Sequence, residues 1–432
     1  MPRGGGPRLR AAAALATLAL VAVGQGCSYP RVIDEGRVDE AYLERLIGRT
    51  AAARGIALGD APLRWELLTD EQQRARLRAA IAEVASDTEV QLTTWRAFGL
   101  VEPGFDAERL AELVLRQVAA HYDPRTKTFY LVERPRASGQ ARLASWLLER
   151  DLEQEFVVCH EVVHALQDRR HDLERFLEGA AGADAALARR AVVEGDATYF
   201  GLAAMFAGVP GVDLDALEVD PAMLDDDLGD LEGAPPVVVE GLLFPYLGGL
   251  RLLQSLGAAR EQVWSRPPRS TEQVLHPAKY RADEPPVRVV LGAGAPPPGW
   301  SLVAEDTLGE ALLRVLLRQA PAVDRAEADR GAAGWGGDAY RVYQGPGGAL
   351  ALAWALQFDT PADAREFVDL YRRRARALPP SLSSLCALHG PRGAVVVEAP
   401  SGEVLAAIAP VALLHEVPAP GVEAAAEAAE GR

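Results

Sequence analysis

Cysteine is scarce in this chain, with three in 432 residues and no CxxC pair, so a thiol-based metal site is excluded. Basic residues are also in short supply. Lys and Arg number 45 against 61 Asp and Glu, a formal charge of −16. A nucleic-acid ligand needs a basic surface to displace its counterions, and this balance argues against one. No internal repeat is present. What remains is the composition of a soluble globular protein, 49% hydrophobic and 25% charged. The length allows one full core and a second, small domain.

The N-terminus differs from the rest. Arg3, Arg8 and Arg10 precede the apolar run "AAAALATLALVAVG", which ends in the small residues of "GQGC". A basic flank, a short apolar core and a small-residue end describe an export signal, too short and wrongly flanked for a transmembrane span. Cys27 sits where a bacterial lipoprotein, whose signal this segment resembles, would be cleaved and acylated. Gly24 and Gln25 depart from that signal's pattern, so export with a lipid anchor at Cys27 and export without one both stay open. Loss of residues 1–26 removes three arginines and takes the charge from −16 to −19. Of the two remaining cysteines, Cys159 lies among Phe156, Val158 and Val162 and reads as a buried thiol; pairing with Cys386 is the alternative.

Helical spacing follows in "VDEAYLERLIGRTAAARGIAL", in the segment opening at Thr69 with Gln72 three residues on, and in "DAERLAELVLRQVAAHY", capped by Asp106. "YDPRTKTFYLVER" alternates as a hairpin or edge strand. Residues 145–170 and "DAALARRAVVEGDATYFGLAAMF" are long helical patterns, and "PPVVVEGLLFPYLGGLRLLQSLG" is another. Between them, Gly211 to Glu232 holds nine acidic residues and no Lys or Arg, a solvated insertion without the ligand spacing of an EF-hand. From about Pro285 the texture changes. "PPVRVVLGAG" looks extended and "EDTLGEALLRVLLRQA" helical. A hairpin turns at Gly345–Gly348, "PADAREFVDLYRRRARAL" is helical, and "AVVVEA" and "EVLAAIA" read as strands. The expected organisation is a signal at 1–27, a mostly helical domain at 28–284, a small α+β accessory domain at 285–418 and a tail at 419–432.

The chemistry concentrates in "FVVCHEVVHALQDRR". His160 and His164, four apart, share one helix face and can point at one ion. Glu161 is rotated about a quarter turn and can reach a water on that ion without binding it. An HExxH string arises by chance on the order of once in a hundred chains of this length, so context decides. Here it lies in an apolar helical run, where an unpaired His-Glu-His set would be costly to bury without a metal. A catalytic zinc needs a third protein ligand and an open position. A third histidine in the metzincin register fails, because Gln167 and Arg170 occupy the required positions and His171 misses by one. The other option is a carboxylate on a following helix. Glu194, between Val192, Val193 and Ala197, fits it; a buried salt bridge with Arg189 or Arg190 is its plainer reading.

"HEVVH" at 160–164 with "EGDA" at 194–197 resembles the gluzincin metallopeptidases. The resemblance implies a zincin-like α+β domain, Zn²⁺ held by His160, His164 and Glu194, Glu161 as general base, and a peptide or protein substrate. It also implies that "KTFYLV" is the sheet edge along which substrate adds as a strand. More narrowly, "HEVVHALQD", "VEGDATY", "FPYLGGL" and "PPRSTEQVLHPAKY" resemble a group of exported bacterial proteins with gluzincin-like signatures, over roughly residues 110–285. Such enzymes often carry an acidic residue four beyond the glutamate ligand to orient a histidine; here that place is Thr198, and Asp168 is the substitute, otherwise a solvated helix charge. Tyr246 and His276 are the candidate oxyanion donors, each with a structural alternative, and Ser270 is a candidate cap with Gln273. The expectation is an exported zinc metallopeptidase of the cell envelope. The alternatives are a zinc-binding but non-catalytic binding or assembly lipoprotein, and a helical lipoprotein whose HExxH is accidental.

Overall fold

The computed structural model describes residues 30–57, 59, 62–117, 120–132, 150–218, 231 and 233–413. The export segment with Cys27, residues 145–149 of the expected histidine helix, most of the acidic insertion and the tail lie outside the described residues. The protein is mixed α+β, 55% helical and 17% strand, so helices set its shape.

Helices α1 (Glu40–Arg54), α2 (Asp70–Glu83), α3 (Ala85–Ala97) and α4 (Ala107–Gln117) form the N-terminal part. Their starts are written locally. Asp39 accepts from the Tyr42 amide, Thr69 and Gln72 complete a capping box, and Asp106 accepts from the Arg109 amide. The expected helix through "AAHY" stops earlier. Ala120–Asp123 is a strand (β4) that turns back through Thr128–Val132 (β5), as the hairpin reading required. A short hairpin at the N-terminus supplies β1 (Ile33–Asp34) and β2 (Arg37–Val38), and β3 is Arg64–Leu68. The sheet order is β3-β5-β4, with β3 parallel and β4 antiparallel to β5. The "KTFYLV" strand is therefore central, paired on both sides, and not the expected edge. Its residues 128–132 are all buried, which an edge strand with one solvated face would not require.

Next come α5 (Leu152–His171), α6 (Leu173–Glu178), α7 (Ala183–Met205) and α8 (Pro236–Leu256). α5 is capped by Asp151 and carries Glu153 and Glu155 in its first turn and Arg169, Arg170 and His171 in its last, matching the helix dipole at both ends. Asp172, at φ 54°, ends α5 and caps α6 in one residue. The stretch Pro236–Ala259 is long and apolar enough to cross a membrane by composition, but half of it is buried within the fold, as in a core helix. α7 lies against α8 with backbone touching backbone: a Cβ on Gly249 would sit 1.8 Å from the Ala191 carbonyl oxygen, and one on Gly195 would sit 2.3 Å from the Gly249 carbonyl carbon. On its other side α7 approaches α5 at Gly201, where a Cβ would lie 3.3 Å from the His160 amide nitrogen.

After α9 (Gln262–Ser265), α10 (Thr271–Leu275) and α11 (Pro277–Arg281), residues 284–289 form neither helix nor strand, the Val287 amide donates to the Gly336 carbonyl, and Val290 makes an isolated β-bridge. The C-terminal region is a five-stranded antiparallel sheet, β6 (Ser301–Asp306), β7 (Trp335–Gln344), β8 (Leu350–Phe358), β9 (Ser383–His389) and β10 (Gly393–Ala399), in the order β6-β7-β8-β10-β9. The hairpin at Gly345–Gly348 forms as expected between β7 and β8. Helices α12 (Gly309–Arg318), α13 (Arg325–Ala332) and α14 (Pro361–Ala375) cover the face carrying Leu352, Trp354 and Val396. The last helix, α15 (Gly402–Leu413), covers the opposite face of Ala351, Ala353 and Ala355. "EVLAAIA" is thus helix and not strand. So short an apolar run carries no decisive period, and the alanine face leaves space for a helix on top. The main core crosses position 285: Phe98 of the segment after α3 packs edge-on against Tyr340 and Trp354 of the sheet.

Buried acids gather at the join between helices and sheet. Asp338 accepts from the indoles of Trp335 and Trp354 and from the amides of Leu308 and Gly309. Asp184 accepts from the amide and hydroxyl of Thr271, and burial pushes its carboxyl up to about 8. In the unfolded chain that carboxyl ionises near 3.8, so folding stability attributable to it is full at low pH and lost as pH rises toward 8. The urea midpoint should therefore fall from pH 5 to pH 8 less steeply in Asp184→Asn than in the unaltered protein; parallel curves would reject this origin. Independently, Gly249→Ala should cost roughly 1–3 kcal/mol or more in urea unfolding, because the added methyl has no room at the α7–α8 crossing. An unchanged midpoint would show that the crossing can open freely.

Candidate metal centre

The His160 and His164 rings point from consecutive turns of α5 toward α7. Their Nε2 atoms lie 3.1 Å apart, and the Glu194 Oε2 lies 3.1 Å from the first and 3.4 Å from the second. The three donor atoms form a nearly equilateral triangle. A tetrahedral ion with bonds of about 2.0–2.1 Å holds neighbouring ligand atoms about 3.3–3.4 Å apart, so the triangle fits one face of a zinc site. The donor set, two imidazoles and a carboxylate with no thiolate, is also one that zinc takes. The side chains are 6%, 11% and 19% exposed for His160, His164 and Glu194, buried but not sealed from water.

Glu194 takes neither Arg189 nor Arg190 as partner, against the plainer reading of the sequence: Arg189 instead donates to the Phe176 carbonyl. Burial by itself disfavours the imidazolium of His164, but the charges of Glu194 and Glu161 outweigh it and raise the ring to about 9. Burial likewise opposes ionisation of Glu194, yet His164 and His160 hold its carboxyl far below the usual range. The metal-free cluster thus keeps a proton where a cation would sit, and metal binding would have to release it.

Glu161 stands beside the triangle, its donor oxygen within 4.8 Å of the imidazole nitrogens. Its other anchor is β4, whose Tyr122 amide donates to Oε2 at 2.7 Å. The Tyr122 phenol donates to Asp168, which also receives the Lys127 ammonium and the Leu173 amide. Asp168 is buried, so it is neither a solvated charge nor a partner of His164; it clamps the β4–β5 hairpin onto α5.

The histidine orienter is Gln167. Its Oε1 lies 2.9 Å from His164 Nδ1, while its Nε2 donates to the Val193 carbonyl at 3.0 Å and to Asp196 at 2.8 Å. With both amide hydrogens committed to acceptors, the oxygen must face the ring. Nδ1 then carries a proton, and it is Nε2 that gives up its own proton to present a lone pair to an ion. Asp196 is held in turn by Arg54. In the sequence Gln167 stood out only as the residue that breaks the metzincin register. A signal was there: it is a polar residue three beyond a candidate ligand, on the same apolar helix face. Thr198 does not take that role for the other ring, since its hydroxyl and His160 Nδ1 are both buried without a hydrogen-bond partner among the described residues.

Tyr246 joins the site from α8. Its ring stacks on His160 at 5.5 Å and 20°, and its outer face is open. Burial, then the charges of Glu194 and Glu161, push its phenol well above 10, so it stays a proton donor. His276 does not join. Its Nε2 pairs with Glu310 of α12 at 2.8 Å, which raises its imidazole and commits it to the join with the sheet. Ser270 caps α10 through the Gln273 amide, as expected. Cys159 and Cys386 are both buried and unpaired.

Comparison with known proteins reaches only the C-terminal region of the chain. A domain of unknown function, DUF8575, matches residues 301–411, about a quarter of the chain, and covers none of His160, Glu161, His164, Glu194, Gln167 and Tyr246. No curated protein and no solved structure matches.

Replacing Gln167 by Met keeps its bulk and removes the hydrogen bond to His164. Metal affinity, measured by competition with a chromogenic chelator, should fall about 10–100-fold. Unaltered affinity would show that the ring needs no orientation from Gln167.

Proposed function

We propose that this chain is a zinc-dependent metallopeptidase of zincin-like fold, exported to the cell envelope, that hydrolyses peptide bonds. The observation that carries the reading is the triangle of His160, His164 and Glu194 with Glu161 beside it and a tyrosine phenol on its open flank. His160, His164 and Glu194 would hold the ion. Bound zinc supplies a water whose pKa falls to about 7 and a positive charge for the substrate carbonyl.

The protein's own groups do the rest. Glu161 is placed to take a proton from water and pass it to the departing amine. The Tyr122 amide keeps that carboxylate turned toward the site. The Tyr246 phenol, still protonated at neutral pH, is placed to donate to a developing oxyanion. Because β5 is interior, an extended peptide adds to the sheet along β4, the edge strand that touches α5. His276 has no part in this scheme.

A zinc-binding but inactive scaffold is the second reading, favoured by the missing partner of His160 Nδ1. Glu161→Gln separates the two. Elemental analysis should find one zinc per chain in both forms, while cleavage of an unstructured protein drops by about 10²–10⁴-fold in the variant. Equal cleavage removes Glu161 as the base; absence of zinc in the unaltered protein removes the metallopeptidase reading.

A further inference from the structure

A cavity of about 350 Å³ opens beside the centre, lined by Trp95, Leu110, Leu187, Leu242, the buried acid Asp184 and, as its one basic group, Arg190. That is within the size range of ligand pockets. Two of its walls run directly into the site. Arg190 precedes Glu194 by four residues on α7, and Leu242 precedes Tyr246 by four on α8. Four residues of helix advance about 6 Å, so the cavity begins one turn from the metal ligands. The Arg190 guanidinium is exposed and makes no ion pair among the described residues, and its charge reaches the Tyr246 phenol against the pull of the carboxylates. Gly241 leaves the wall open: a Cβ there would meet nothing within 4 Å.

A largely apolar cavity, with a guanidinium that makes no ion pair among the described residues at the end nearest a hydrolytic centre, is complementary to an apolar side chain next to a carboxylate. A peptide's C-terminal residue has that chemistry, and Arg binds carboxylates in a two-pronged geometry. A guanidinium rooted one helical turn from a metal ligand would hold that carboxylate close to the reacting bond. We propose that Arg190 and this cavity recognise the free C-terminus of a peptide ending in a large apolar residue, so that the enzyme releases one or two residues from that end. In the reaction the peptide C–N bond breaks, the water oxygen joins the carbonyl carbon, and a proton goes to the new amine. The inference rests on the metallopeptidase reading.

The test is binding to zinc-loaded, full-length Glu161→Gln protein, measured by titration calorimetry with acetyl-Ala-Ala-Phe as the free acid and as the amide. The acid should bind at least ten-fold more tightly. Adding Arg190→Gln should bring the two within about two-fold, and Gly241→Leu, whose Cβ meets nothing within 4 Å and whose longer side chain is introduced to occupy the cavity, should weaken the acid while leaving acetyl-Ala-Ala-Ala little changed. Equal affinity for acid and amide, or a preference that survives Arg190→Gln, overturns the proposal. Zinc content and cleavage of an unstructured protein by the unaltered enzyme are read alongside. Zinc and cleavage without a carboxylate preference overturn this inference alone, whereas absence of zinc overturns both readings.

Discussion

Everything at the centre depends on how closely α7 can approach its two neighbours. Glu194 reaches the imidazoles of α5 only because α7 presents Gly201 to the His160 backbone on one side and Gly195 to Gly249 of α8 on the other. Ordinary side chains at these crossings would hold the axes further apart. A carboxylate moved outward by even one methyl group's thickness would no longer complete a triangle with edges of 3.1–3.4 Å. The small residues therefore act on the chemistry through distance, and the same contact brings Tyr246 over His160.

Around that contact the protein assembles buried charge in matched sets. Glu155, one turn before the histidines, is surrounded by Tyr42, Arg49 and Arg150. Asp196 meets Arg54 and Gln167. Asp168 meets Tyr122 and Lys127. Breaking a buried pair leaves an uncompensated charge, so each set penalises any slip of α1, α7 or the hairpin against α5. Such a frame holds the histidine helix in one register, which a site with sub-ångström tolerances requires. The acids at the join with the C-terminal sheet, Asp184 and Asp338, are held by neutral donors instead, and the shared core around Phe98 makes that sheet part of the helical body's packing.

The local features were legible in advance. Caps at Thr69, Asp106 and Ser270, the hairpin at Gly345–Gly348 and the long helices of Leu152–His171 and Ala183–Met205 follow from short-range hydrogen bonding and period. Three readings failed where local pattern underdetermines the outcome. Ala120, His121 and Tyr122 continue a helical period yet become β4, because a partner strand offers their backbone better hydrogen bonds. "EVLAAIA" suits either state, and the alanine face of the sheet selects helix. "KTFYLV" is a strand from any viewpoint, but whether it is edge or centre depends on β3, about sixty residues upstream.

The sequence alone determined that His160 and His164 share a helix face with Glu161 turned aside, since a four-residue spacing on a 3.6-residue helix leaves no other arrangement. It also nominated Glu194, by the cost of a carboxylate in an apolar run. Only the tertiary structure decided that Glu194 meets the histidines, that Gln167 turns one of them, that His276 belongs to Glu310 and that an open cavity with Arg190 lies one turn away. Those outcomes are distances between helices far apart in the chain, and they are set by which side chains are small enough to let backbones touch.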